Sequence, residues 1–288
     1  MSRIIRSCFA VAFLAAFLMA GSAFAAEPFR ILISNDDGIN SEGILALAKA
    51  LEPIASVTVV APQDNFSGAG HSLTIEGPIM VKEVKREGKF FGFGVKGTPA
   101  TCVQVGIAQL IDKRPDLVVT GINEGGNLGR TIFVSGTFNA AQEGVIKGIP
   151  GIAFSLERGK NKDYTIAAEF ARVLVESLIK HGLPKDVVLN VNIPDCSREE
   201  LKGVALTRLS DFSFKENWVR RKNPWGMTYF WQSVRKPQAI PPAGTDYRAI
   251  LDNYISVTPV PLDFDLKDSL REMSRLNLSF EGKKMIKP

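Results

Sequence analysis

The chain has 288 residues, 45% of them hydrophobic and 23% charged, with a formal net charge of +5. That length allows one large domain with an appendage, and the basic excess is too mild to argue for a nucleic-acid duplex as partner. Of the cysteines Cys8, Cys102 and Cys196, the last two have neither metal-binding nor redox spacing.

The first element is not part of the expected fold. Arg3 and Arg6 precede an apolar run from Cys8 to Ala20, and Ala23 and Ala25 complete an A-x-A pattern. This is the layout of a signal peptide covering residues 1–25, cut after Ala25. The run is short of the ~20 residues that span a bilayer. Residues 26–288 are therefore expected as a single exported domain, periplasmic and free of the membrane after cleavage. Removing the signal lowers Lys+Arg from 35 to 33 against 30 acids, which leaves a charge of about +3. Cys102 lies in an apolar helical pattern and reads as a buried thiol; sequence does not show whether it meets Cys196.

From residue 30 the pattern alternates. "RILIS" (30–34) is a short strand, and Ile44, Leu47, Ala48 and Leu51 recur at helical spacing behind Ser41. "VTVVAP" (57–62) is a second strand. "PIMVKEV" and "KFFGFGV" flank "KREG" as a hairpin. "TPATCVQVGIAQLI" is a helix with Thr98 as N-cap and Pro99 first in the helix. "PDLVVTGIN" (115–123) is a strand and "GTFNAAQEGVIKG" a small-residue helix. "GIAFSL" (151–156) and "VVLNVNIP" (187–194) are strands separated by a helix over 163–181. Apolar strands alternating with helices predict an α/β fold, a three-layer αβα Rossmann-like sandwich around a mostly parallel sheet. From about Val204 the style changes to an aromatic hairpin, "NWVRRKNPWGMTYFWQSV", turning at 223–226. Such a hairpin is a poor candidate for lying free in water, and is expected to pack on the core or on another subunit.

In open α/β sheets ligands bind beyond the carboxyl ends of the strands. Asn35, Asp36, Asp37 and Gly38 follow the first strand. "QDNFSGAGHS" (63–72), with Ser67 and His71, follows the second. Asn123 and "EGGNLG" (124–129) follow the strand at 115–123, and Ser135, Gly136 and Thr137 open the small-residue helix. An all-oxygen set of this kind suits one hard divalent cation, Mg²⁺, Mn²⁺ or Ca²⁺, and not zinc. Two adjacent carboxylates are costly together unless a cation neutralises them. The competing reading is an Asp-Asp-Gly turn in which Asp37 caps the next helix. Ser135–Thr137 can present backbone N–H groups to phosphate, with Asn127 holding further oxygens. His71 is a general acid, a substrate contact or a local hydrogen-bonding group. No P-loop lysine motif is present.

Taken together, "ILISNDDGINSEGILALAKAL", "VVAPQDNFSGAGHSLT", "GTPATCV", "PDLVVTGINEGGNLG", "SGTFNAAQEGVIKGIPGIAFSL", "LNVNIP" and "GTDYRAILDNYISVTPV" resemble, in order, the SurE family of survival-protein nucleotidases. The resemblance covers nearly all of residues 26–288. It implies a metal-dependent phosphomonoesterase acting on nucleoside 5′- and 3′-monophosphates, and in some members on polyphosphate. It implies metal ligands at Asp36, Asp37, Ser67 and Asn123; Asp36 and Asp37 are the catalytic candidates, and whether Asp36, Asp37 or the metal itself takes the proton of the attacking water stays open. It also implies a homodimer or homotetramer in which a projecting β-hairpin and a C-terminal arm are exchanged between subunits, the extension falling here within about 205–260. Two positions depart from the family pattern: Phe66 stands where an arginine is usual, and Glu124 where a neutral or basic residue is common. Both remove positive charge near the phosphate site. A different class remains open on these residues, an exported nucleotide- or phosphate-binding protein without turnover, as does a polyphosphatase or broad acid phosphatase.

Overall fold

The computed structural model describes residues 27–159, 162–182, 185–237 and 239–262, and a separate pair of two-residue strands, Ser279–Phe280 with Lys283–Lys284. The expected signal segment lies outside the described residues. Eleven further strands are β1 (Arg30–Ser34), β2 (Ser56–Pro62), β3 (Val81–Arg86), β4 (Lys89–Val95), β5 (Leu117–Glu124), β6 (Gly151–Leu156), β7 (Val187–Ile193), β8 (Gly203–Leu206), β9 (Lys215–Lys222), β10 (Thr228–Arg235) and β11 (Tyr254–Pro261). The helices are α1 (Glu42–Leu51), α2 (Pro99–Val105), α3 (Gly136–Ile146), α4 (Thr165–His181) and α5 (Asp246–Leu251).

Nine strands form one sheet in the order β3-β4-β2-β1-β5-β6-β7-β11-β8. From β4 to β7 every neighbour is parallel; β3 runs antiparallel to β4 and β11 to β7, while β8 runs parallel to β11. Alternation along β1 assigns its faces. Ile31 and Ile33 pack with Ile44, Leu47 and Leu51 of α1 and with Ala167, Ala171 and Val175 of α4. Leu32 points the other way, toward Cys102 and Val103 of α2 and Ala140 of α3. Each face of the parallel sheet thus carries two helices, which is the predicted three-layer sandwich.

The chain leaves β1 toward β2 on one side and later returns to place β5 on the other side of β1. Strand order therefore reverses between β1 and β5, and a crevice opens there at the carboxyl ends. That position is a consequence of topology alone.

The aromatic hairpin β9–β10 is regular, with Asn223 Oδ1 accepting from the amides of Trp225 and Met227 in its turn. All residues of both strands are exposed, and Trp225 at the tip is 81% exposed. Of the two expected packing partners, the core is excluded: the hairpin projects from it. Cys102 is buried and Cys196 partly buried, and both are free thiols. No helix among the described residues is long and apolar enough to cross a membrane.

Candidate active site

After β1 the chain turns through Asn35–Gly38 into α1. Asn35 Nδ2 donates to Gly38 O at 3.0 Å and to Ser41 Oγ at 2.8 Å, which fixes the turn. Ser41 is the N-cap of α1, but its hydroxyl serves Asn35 and not the helix. Asp36 is only 3% exposed. It faces the first turn of α3, where the Thr137 hydroxyl donates to Asp36 Oδ1 and the amides of Gly136 and Thr137 also bond the carboxylate. A Cβ on Gly136 would lie 2.6 Å from the Asp36 Cβ and 2.8 Å from Oδ2, so only glycine allows this approach.

Three loops converge on the aspartate pair. Phe66 N donates to Asp36 O at 2.7 Å, which docks the loop carrying the exposed Ser67. Glu124 N approaches Asp37 Oδ2 at 3.4 Å and ties in the end of β5. The third is the Ser135–Thr137 turn. Asn123 reaches the same crevice because a bulge between Thr120 and Asn123 interrupts the β5–β6 pairing and re-aims the strand end. Gly121, at φ +117° and with a would-be Cβ 2.2 Å from Phe154 O, makes that bulge sterically feasible. The Asn123 Nδ2 donates to Gly125 O at 2.6 Å, so the side chain's remaining polar atom is the acceptor Oδ1.

Burial raises the Asp36 carboxyl above its ordinary range, outweighing the donors from Thr137 and Gly136. Asp37 is pushed up to about 6, first by burial and then by the Asp36 charge, with the Glu124 amide opposing. Tyr164, facing Asp37 and Glu124, is pushed up to about 12 by burial and these charges. Two crowded carboxylates are costly together, and a hard divalent cation would relieve them; the Asn123 amide oxygen and the Ser67 hydroxyl are the further oxygen donors that could complete its shell. Among the described residues there is no cluster of three or more His, Cys, Asp and Glu able to hold a metal.

Other expected residues sit differently. Ser135 Oγ accepts from Phe138 N at 3.0 Å and so caps α3. The first-turn donors of α3 face Asp36, so the turn supports a carboxylate where a phosphate cradle was expected. Asn127 Nδ2 donates to Ser155 Oγ at 2.9 Å, and its carbonyl accepts from Asn190 and Asn192 of β7. His71 uses both ring nitrogens on α3, Nδ1 with Gln142 at 2.9 Å and Nε2 with Glu143 at 2.8 Å. Glu143 is 3% exposed and also accepts from Gln104 at 2.9 Å, with Lys147 at 3.4 Å. That cluster fastens the Ser67 loop to the helix supporting Asp36.

Sequence reasoning missed two cations. Lys162 lies 2.9 Å from Glu124 Oε1, and Arg158 lies 3.9 Å from the same oxygen. Both follow β6, whose carboxyl end neighbours that of β5; "ERGKNKD" held the signal. Also missed was Asp246, fully buried, which accepts from Gly129 N at 2.7 Å and Ser210 N at 2.9 Å and holds the loop after Asn127.

The family model "Survival protein SurE" matches residues 31–216. The chain belongs to the SurE family. A "5'-nucleotidase SurE" of Methylococcus capsulatus is 42% identical over 243 residues, covering 84% of this chain and 95% of that protein. One from Prochlorococcus marinus is 40% identical over 267 residues, covering 88% and 98%. The crystal structure of the SurE protein from Aquifex aeolicus is similar at TM-score 0.73 and 40% identity, covering 85% of this chain and 99% of that one.

Two outcomes follow from this SurE site. Gly136→Ala should keep the circular dichroism of the wild type but bind Mn²⁺ at least about tenfold more weakly by calorimetry, because Asp36 is displaced. Unchanged affinity would contradict the contact. The second concerns His71, whose pKa the Glu143 hydrogen bond holds above its ordinary 6.5. A raised folded pKa stabilises fully below the unfolded value and loses that stabilisation as pH rises through the folded one. The melting-temperature difference between wild type and His71→Asn should therefore shrink as pH is raised from 6 to 9. A pH-independent difference would refute the ionic contact.

Proposed function

We propose that this SurE-family chain hydrolyses nucleoside 5′-monophosphates, and 3′-monophosphates with them, to nucleoside and phosphate. The observation that carries this reading is the Asp36–Asp37 pair at the strand-order reversal, with Asn123 and the Ser67 loop beside it. Curated relatives named 5'-nucleotidase SurE, at about 40% identity over most of the chain, support it.

Asp36, Asp37, Ser67 and Asn123 would hold one divalent cation, Mg²⁺ or Mn²⁺ first and Ca²⁺ as a third fitting ion. When bound, it offsets charge on the phosphoryl oxygens. The chain's own contribution is to fix where that charge is met. Thr137 and the α3 amides hold Asp36 in one orientation, and the Glu124 amide holds Asp37. Prepaid orientation of this kind removes reorganisation from the barrier. Asp36 is enclosed by donors and makes a poor nucleophile, so an incoming water attacks phosphorus in line. Ser135–Thr137, Asn127 and His71 act behind this set, positioning the loops that bear it.

The exposed aromatic hairpin supports a homodimer or homotetramer in which a second copy covers it. We also assign residues 1–25 as a cleaved export signal, which makes the mature enzyme periplasmic; its N-terminus should read Ala26 by Edman sequencing, and an intact Met1 would overturn that.

Purified protein should release phosphate from adenosine monophosphate only with Mg²⁺ or Mn²⁺ and stop with chelator. Asp37→Asn should lose at least about a hundredfold of turnover. Metal-independent turnover, or an unaffected variant, would sink the reading. Light scattering should give at least twice the chain mass, falling to monomer when Trp225, Phe230 and Trp231 are replaced by Ser. A monomeric wild type would remove the covered-hairpin account.

A further inference from the structure

We propose that Glu124 makes the site selective for single phosphate groups, by occupying the two cations that would otherwise bind the further phosphates of a longer polyanion. This rests on the nucleotidase reading and deepens it. Glu124 is anchored in the ligand set: it follows Asn123, and its amide approaches Asp37 Oδ2 at 3.4 Å. Its carboxylate turns outward to Lys162, whose Nζ lies 2.9 Å from Oε1 and 3.0 Å from Oε2, with Arg158 Nε 3.9 Å from Oε1. The two cations are largely exposed, at 74% for Arg158 and 61% for Lys162, so they stand at the rim of the crevice.

Charge decides what such a rim accepts. A monophosphate ester places all its charge at the cation set. A diphosphate, triphosphate or linear polyphosphate must place its additional charge beyond that set, where Glu124, Arg158 and Lys162 lie. With Glu124 present, the two cations are already neutralised in part, and the carboxylate itself repels the added phosphates. Without it, one guanidinium and one ammonium become free phosphate partners. Exposed ion pairs are individually weak, so the effect should be a moderate discrimination, about threefold to tenfold.

The test is equilibrium binding with saturating Mg²⁺, using α,β-methylene adenosine diphosphate, which does not hydrolyse between its phosphates, and inorganic phosphate. Glu124→Gln should bind the diphosphate analogue about threefold to tenfold tighter and change phosphate affinity less than about twofold. Glu124→Asp, keeping the charge, should stay near wild type. Adding Lys162→Gln to Glu124→Gln should cancel most of the gain, whereas Lys162→Gln alone should change little. Equal changes for both ligands, or a gain that survives loss of Lys162, would overturn the proposal. Turnover of adenosine monophosphate by the wild type is scored separately. Its absence would refute the nucleotidase reading, while the binding series still decides the role of Glu124.

Discussion

Everything at the carboxyl edge of the sheet depends on burying one carboxylate, Asp36, against the first turn of α3. A buried charge must be met by donors or by a counter-ion. Thr137 and the amides of Gly136 and Thr137 meet one side of it, and Gly136 has no Cβ so that they can. Asp37 has no such enclosure. It carries the raised pKa of a crowded acid and is half-buried toward the crevice. The asymmetry leaves a fixed carboxylate beside a needy one, the arrangement a hard cation satisfies.

The surroundings keep that arrangement in register. β1 and β5 are neighbours, so their terminal residues meet without any long loop. Asn127 is bonded to β6 and β7, and Asp246 clamps the chain just beyond it. On the other side, His71 and Glu143 tie the Ser67 loop to the helix that supports Asp36. Motifs far apart in the chain, such as "GHS" and "GTD", serve the candidate ligands indirectly. They hold loops whose backbone is otherwise free to move.

The layers and strands were legible because their cause is local. Apolar runs of five to eight residues separated by 3.6-period helices have few alternatives to a covered parallel sheet. The candidate ligands could be picked out in sequence because each follows a strand. Less was legible about what they bond to. The Ser135–Thr137 turn looks like a phosphate cradle in sequence, since helix N-termini favour any anion; in the fold the anion it meets is Asp36. His71 looked like an acid or a substrate contact, yet its partners lie some seventy residues away on α3. Arg158 and Lys162 gave only a basic loop until the sheet order set them beside Glu124.

Sequence by itself determined the α/β alternation and which polar residues follow each strand. Both are carried by residue type and short-range spacing. Only the tertiary structure decided that strand order reverses between β1 and β5, that α3 points its donors at Asp36, and that the aromatic hairpin stands clear of the core. Those facts rest on contacts between residues up to about a hundred positions apart, such as Asp36 with Thr137. Chain topology sets such distances, and no local pattern encodes them.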